Sequence, residues 1–316
     1  MSLYESTNVS TELINTAFCD KVFSGQIKEA QDNASAYIRE KLYENGILRR
    51  LFESRTVTAD ELDPLLESDQ PSIICEIEPT AASATFVPWK GTGERRYYNG
   101  RRFRVPFGKV EAERTTKSKF ELMTIRMPIQ DWIKENQVKA IQQEEDQLFI
   151  DTIADILTKN ATDVSNNVAG VLPQNLAITL GSGTSFKDAF VEGTKAMTKL
   201  RLPMGKVLMH ANTFADSLKL KTDEIGHVPQ EDRFRRGLEG EETFLGFPVV
   251  TTIKDDLVKE NELYFFTTQD YFCKYFYLQD ATLFLKTEAD MIHFHTYEAP
   301  GFGIGNTKGV VKVTLS

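Results

Sequence analysis

Residues able to do chemistry are scarce and scattered. His293-Phe-His295 is the one close histidine pair. On a strand, residues two apart face the same side, so the two imidazoles could share a zinc or iron ion. The sequence places no third ligand beside them, since His210 and His227 are distant. Gly181-Ser-Gly-Thr-Ser185, between an expected strand and an expected helix, has the layout of a phosphate loop. It lacks the Lys-Ser/Thr pair of a Walker motif and the full GxGxxG spacing, so it reads as a turn ending in a helix cap. Gly301-Phe-Gly303-Ile-Gly305 has no helix behind it, as a dinucleotide fingerprint requires, and reads as a bent or bulged strand. GxSxG, HExxH and EF-hand patterns are absent. Cys19, Cys75 and Cys273 are odd in number and far apart, which suits reduced thiols. The expectation is no catalytic residue, no cofactor, no metal, and hence no enzyme.

The densest chemistry is basic. Arg95, Arg96, Arg101, Arg102 and Arg104 surround Asn99-Gly100, with Tyr97, Tyr98 and Phe103 interleaved. Asn-Gly favours the two-residue type I′ turn, so residues 94–98 and 101–105 are expected to pair as a hairpin. Pro88 and Pro106 mark its flanks as edge-like. An isolated hairpin is marginal in water, so it must lean on its own domain or on another subunit. Three roles fit the arginines and tyrosines: a contact between subunits, a charged edge that resists aggregation, or a platform for single-stranded nucleic acid. The subunit contact is the reading carried forward. A second basic cluster, Arg233, Arg235 and Arg236, lies in a long polar stretch from Lys221 to Glu242, with acids on both sides. Structureless loops of that length tend to be functional or disordered.

The whole chain is nevertheless acidic. Its 316 residues carry a formal charge of −9 with 41% apolar content. That is globular, large enough for a substantial core, and not built to bind nucleic acid by overall charge. No apolar run approaches a membrane span, and the first residues do not read as a signal peptide.

The elements that must position these groups centre on one long helix, expected from Pro128 to Asn160. Pro suits a first helical position, and Asp131 and Glu135 favour the dipole's positive end. Its apolar residues cluster at the two ends (Ile129, Trp132 and Ile133; Leu148 to Leu157), with a largely charged middle. The spacing therefore predicts a beam buried at both ends and wet between. Ahead of it, residues 10–52 read as helical pieces, Thr58-Ala-Asp-Glu61 has capping-box spacing, and Ile73–Ile77 reads as a strand. Lys119–Ile125 is expected to be a strand leading into the beam. Behind it come strand Leu176–Leu180, a helix from Phe186, strand Lys206–His210, and a short helix capped by Asn212. Strands follow at Thr243–Ile253, Leu263–Thr267, Tyr275–Leu278, Ala281–Leu285, Ile292–Tyr297 and Gly309–Leu315.

This order, together with three segments, resembles the Hong-Kong-97 (HK97-like) fold of tailed-bacteriophage major capsid proteins. The segments are Phe244-Leu-Gly-Phe-Pro-Val-Val-Thr-Thr252, Lys206-Val-Leu-Met-His-Ala-Asn-Thr213, and Thr296-Tyr-Glu298 through Lys308-Gly-Val-Val-Lys-Val313. The resemblance covers the chain from about Thr80 onward. It implies an α+β fold with a helical arm (1–80), an extended hairpin or E-loop (81–118), a peripheral domain with the spine helix (119–175), an axial domain (176–290), and peripheral return strands (291–316). It implies a shell subunit forming pentamers and hexamers round a DNA genome, touched without sequence preference. A separate scaffolding protein, a portal and a decoration protein would be its other partners, and the virion capsid its location. The E-loop arginines would contact a neighbouring subunit. Arg233, Arg235 and Arg236 would lie on an axial loop near the ring centre. An encapsulin-type nanocompartment shell shares the fold, and a metal-dependent enzyme using His293 and His295 is the alternative from another class.

Overall fold

The computed structural model describes residues 46–63, 69–78, 84–93, 95, 97, 100–124, 129–162, 176–181, 184–216 and 242–315. The arm before Gly46, Arg96, Tyr98, Asn99, and the loop holding Arg233, Arg235 and Arg236 lie outside the described residues.

The strands are β1 (Arg55–Thr56), β2 (Ser72–Ile77), β3 (Arg101–Pro106), β4 (Val110–Glu111), β5 (Thr115–Ser118), β6 (Ala177–Leu180), β7 (Met204–His210), β8 (Glu242–Phe244), β9 (Phe247–Thr252), β10 (Glu262–Thr267), β11 (Cys273–Glu288), β12 (Met291–Ile304) and β13 (Val310–Leu315). Among the described residues they form a six-stranded sheet, a five-stranded sheet and a two-stranded ribbon.

The six-stranded sheet has the order β6-β13-β10-β7-β9-β8, with parallel pairs at β13/β6 and β7/β9. Its central strand β10 is covered on both faces. Leu263, Phe265 and Phe266 are each fully buried, and such strands read as continuous apolar runs. The helix Phe186–Lys199 lies over the sheet, with Phe190 5.3 Å from Phe265 in an edge-to-face contact. Gly193 permits the approach, because a Cβ there would collide with the Phe265 ring. Ser185 and Asp188 cap this helix reciprocally, which makes the glycine-rich turn before it a helix start. The sharpest turn of the sheet is Leu245-Gly246, with φ of 51° and 84°. Two left-handed residues suit a two-residue hairpin between twisted strands, here between β8 and β9. The short helix Ala211–Ala215 is capped by His210, whose Nδ1 accepts the Asn212 N–H at 3.1 Å, and not by Asn212.

The five-stranded sheet is β1-β11-β12-β4, with β5 also on β12. Tyr275–Leu278 and Ala281–Leu285 are one strand, not two: β12 runs opposite both and takes up the irregularity in register shifts between Tyr277 and Thr282. The strands divide between the sheets differently from the expected boundary at 290/291. β11 and β12 are partners across the Ala289-Asp290 turn, whereas β13 leaves that sheet and pairs with β10 and β6.

The long helix spans Ile129–Thr162, close to the expected bounds. Its middle is not wet. Gln137, Gln142, Glu145 and Asp146 are all buried, alongside Val138 and Ile141. Polar side chains survive burial only when partnered. Thr296 donates to Gln137 Oε1 at 2.5 Å and Gln137 Nε2 donates to the Glu113 carbonyl at 3.2 Å, while Glu145 and Asp146 meet partners described below. Lys119–Thr124, expected as a strand, is a short helix, and the strand is β5 just before it.

Candidate assembly surfaces

The ribbon carrying the basic cluster is built from partners distant in sequence. β3 pairs antiparallel with β2, from Ser72 opposite Pro106 to Ile77 opposite Arg101. The Asn99-Gly100 hairpin with residues 94–98 as its second arm is therefore corrected: Arg101–Pro106 is taken by Ser72–Ile77, and among the described residues from 84 to 100 none is in a strand. β2 wins because Ile73 and Cys75 join Phe103, Val105, Phe107, Val57 and Phe276 in one apolar cluster. Residues 94–98 offer arginines and tyrosines but nothing comparable to bury.

The ribbon's base sits on its own subunit. Gly301, Gly303 and Gly305 alternate along β12 and so share one face. A Cβ at Gly301 would lie 2.8 Å from the Phe107 ring, one at Gly303 would collide with Val105, and one at Gly305 would come within 3.1 Å of Phe103. The glycine series is thus a seat, cleared so that β3 can lie against β12. Phe302 and Ile304, on the other face, pack toward the main core.

Beyond this seat the connection from β2 to β3 projects. Pro88 to Gly91 is a tight turn closed by the Gly91 N–H on the Pro88 carbonyl at 2.7 Å. Phe86 and Trp89 are 100% and 101% exposed, and Tyr97 is 89% exposed. Large aromatics are rarely left wholly in water, and contiguous ones mark contact sites. Of the sequence-proposed contact residues, Arg95, Tyr97, Gly100 and Arg101 are exposed along this segment. Arg102 and Arg104 lie on β3 itself, and Arg102 is already paired with Glu76 across the ribbon at 2.9 Å. Sequence reasoning missed Phe86 and Trp89. A Val-Pro-Trp-Lys-Gly run, with an aromatic at a turn corner and no apolar periodicity around it, was the available signal.

A second arrangement holds the body together. The short helix Ile47–Leu51 lies where the long helix and both sheets meet. Asp146 accepts the N–H groups of Ile47 (3.1 Å) and Leu48 (2.9 Å) and pairs with Lys254 at 3.0 Å. An anion at a helix start satisfies unpaired donors and the dipole together. Arg50 donates to the Thr251 carbonyl at 3.0 Å and Lys206 to the Arg50 carbonyl at 2.6 Å, fixing the helix to β9 and β7. Arg49 turns the other way. Its guanidinium pairs with Glu298, lies 3.4 Å from Glu145 and 3.8 Å from Asp280, and covers the Tyr277 ring at 4.5 Å. Burial, with the neighbouring Glu145 charge behind it, pushes Glu298 up to about 10. Burial also raises Glu145, against the pull of Arg49. Two carboxyl groups beside one guanidinium in a dry site favour retention of a proton.

The histidine pair does not form a metal centre. His293 Nδ1 is 2.8 Å from Thr116 Oγ1, and His295 Nε2 is 2.6 Å from Glu111. Glu111 is itself held by Lys109 and Arg114, whose hydrogen bonds keep it ionised down to about 2. The histidines therefore have separate partners. Among the described residues, His210, Asp255 and Glu260 have ligand atoms within 4.8 Å of one another. Because His210 Nδ1 accepts a backbone N–H, the ring proton sits on Nε2, which faces Asp255 Oδ1 at 2.7 Å as a donor. This trio is a buttressed helix cap, not a ligand set.

No protein-family model and no curated protein matches this chain. Solved structures do. The capsid of an empty GTA particle, computed with C5 symmetry, superposes with a TM-score of 0.57 at 13% identity, covering 85% of this chain and 89% of that one. This chain has a capsid-protein fold. The capsid of the cyanophage P-SCSP1u matches with a TM-score of 0.57 at 12% identity over 86% and 88% of the two chains. A virus-like particle from Pyrococcus furiosus matches at 0.53 and 14% identity over 90% and 99%. The α+β architecture expected from the resemblance is the one observed, with the long helix, the two sheets and the projecting ribbon in the anticipated order.

Proposed function

We propose that this chain is the shell-forming subunit of a tailed-phage capsid, assembling as pentamers and hexamers into an icosahedral head that encloses DNA. The observation that carries the reading is a fold shared with capsid chains over most of both lengths, on a subunit that projects fully exposed aromatics. The projecting segment, with Arg95, Tyr97, Gly100 and Arg101 beside Phe86 and Trp89, is the E-loop and rests on an adjacent subunit. A structural role without catalysis fits the separate pairing of His293 and His295. Contacts to the genome are local and salt-sensitive, since a chain at −9 does not hold DNA by overall charge. The further partners are a separate scaffolding protein, a portal and a decoration protein.

The likeness to a virus-like particle favours a second reading, a nanocompartment shell around protein cargo. Expression of the full chain, alone and with a candidate scaffolding protein, followed by negative-stain imaging, tests the shell. Closed particles are expected, and nuclease-protected DNA in particles from infected cells separates the head from the nanocompartment. A chain that stays a compact monomer at high concentration in every condition overturns both.

A further inference from the structure

We infer that Trp89 is an anchor that enters a specific apolar pocket on the next copy of this chain, between the long helix and the end of β12. The inference rests on the shell reading and names the receiving site for the projecting loop. The pocket has a volume of about 300 Å³ and is walled by Leu48, Leu148, Phe149, Pro300, Phe302 and Ile304. That is the low end of the range for ligand sites and suits one bicyclic ring. Leu148 at its edge is 51% exposed, an apolar side chain left half in water beside an apolar cavity.

Anchor and pocket are both present on one chain, and the chain does not join them, since Trp89 is fully exposed. A surface that offers an anchor at one place and a receptor at another makes a heterologous contact, which closes rings when repeated. Charge agrees. From residue 140 to 158 the helix carries Glu144, Glu145, Asp146, Asp151 and Asp155 with no Lys or Arg. Of these, Glu144, Asp151 and Asp155 are exposed. The loop brings Lys90, Arg95, Arg96 and Arg101, so like surfaces repel and the loop–helix pairing attracts. Trp is also the side chain most often found at the energetic centre of an interface, seated in a pocket with charged groups round it. The turn from Pro88 to Gly91 fixes Trp89 at its corner, so little loop entropy is lost on docking.

The test uses the full chain, assembled and unassembled, in the same buffer. The difference between wild-type and Trp89→Phe fluorescence isolates Trp89. On assembly its emission should shift to the blue and its quenching by acrylamide should fall several-fold. Trp89→Ala, on an exposed loop, should leave subunit melting unchanged and raise the critical subunit concentration at least tenfold. Leu148→Arg should do the same from the receiving side, and any shells it forms should show Trp89 unprotected. Shells in which Trp89 is as exposed as in free subunits, or Trp89→Ala assembling at the wild-type concentration, overturn the anchor and leave the shell reading standing. Failure of the wild-type chain to form particles overturns both.

Discussion

Arg49 and Glu298 lie 249 residues apart in sequence and meet with side chains 5% and 0% exposed. One comes from the short helix that follows the arm and the other from β12, and Glu145 of the long helix completes the contact. The three elements that define the subunit therefore converge on one guanidinium. Tyr275, Tyr277 and Asp280 of β11 close the site, with Asp146 and Lys254 beside it.

The first prediction is a pH dependence. Glu298 is raised from its ordinary 4.5 to about 10, chiefly by burial. A raised carboxyl favours the folded state while it is protonated there, so its contribution is full below 4.5 and declines as pH climbs toward 10. One such proton gives a slope of at most about 1.4 kcal/mol per pH unit. Denaturant melts of unassembled subunits between pH 5 and pH 9 should show stability falling. Glu298→Gln, which stays neutral, should flatten the slope and be relatively stabilised at pH 9. Parallel pH profiles for the two proteins would sink this account.

The second concerns the cation. Arg49→Ala leaves Glu145 and Glu298 buried together without their counter-charge. Breaking a buried pair by removing one partner costs about 3–5 kcal/mol. Protonation relieves part of that cost, so the loss should be larger at pH 8 than at pH 5. Arg49→Lys should recover only part, because a point charge cannot serve three carboxylates as a planar fork does. A loss under 1 kcal/mol at pH 8 contradicts the scheme.

The third concerns the glycine seat. Gly303→Ala places a methyl against Val105, which is fully buried, and the Phe103 ring. Overpacking of this kind costs about 1–3 kcal/mol. The strain falls on the ribbon's base, so limited proteolysis near residues 78–100 should speed up more than cleavage elsewhere. Unchanged stability and unchanged proteolysis would mean that β3 does not rest on β12 as described.

What the sequence disclosed follows the range of the interactions involved. The capping boxes at Thr58 and Ser185, the long helix and most strands depend on neighbours a few residues away, and each was legible. The long helix's interior was misread because Glu145 and Asp146 look like solvated acids until Arg49, Lys254 and two distant N–H groups reach them. The ribbon was misread for the same reason. Asn99-Gly100 is a strong local turn signal, but β3 gains more by pairing with Ile73 and Cys75 than with its neighbours. The period-two glycines after Pro300 were visible as a pattern, and only the opposing Phe103, Val105 and Phe107 give them a purpose. Leu245 at positive φ was invisible, since leucine does not advertise that conformation.

The last prediction separates folding from assembly at the projecting loop. Residues 84–93, 95 and 97 are exposed and in no strand, while the ribbon's stability comes from β2, β3 and the glycine seat below them. Replacing residues 84–97 with a short glycine linker removes Phe86, Trp89, Lys90, Arg95, Arg96 and Tyr97 but leaves that base intact. Loss of exposed side chains shifts stability by about 0.5 kcal/mol or less, so subunit melting should hold. Shell formation should be lost or greatly weakened. Reversing charge at Arg95 and Arg101 should give a milder defect, because exposed pairs contribute about 0–1 kcal/mol each. The effect of the reversal should shrink as added salt screens it, while that of the deletion persists. Arg102 is a poor choice for the reversal, since it already holds Glu76 within its own ribbon. Normal particles from the deletion variant would show that the loop plays no part in assembly, and loss of its folded melting transition would show that the loop belongs to the fold.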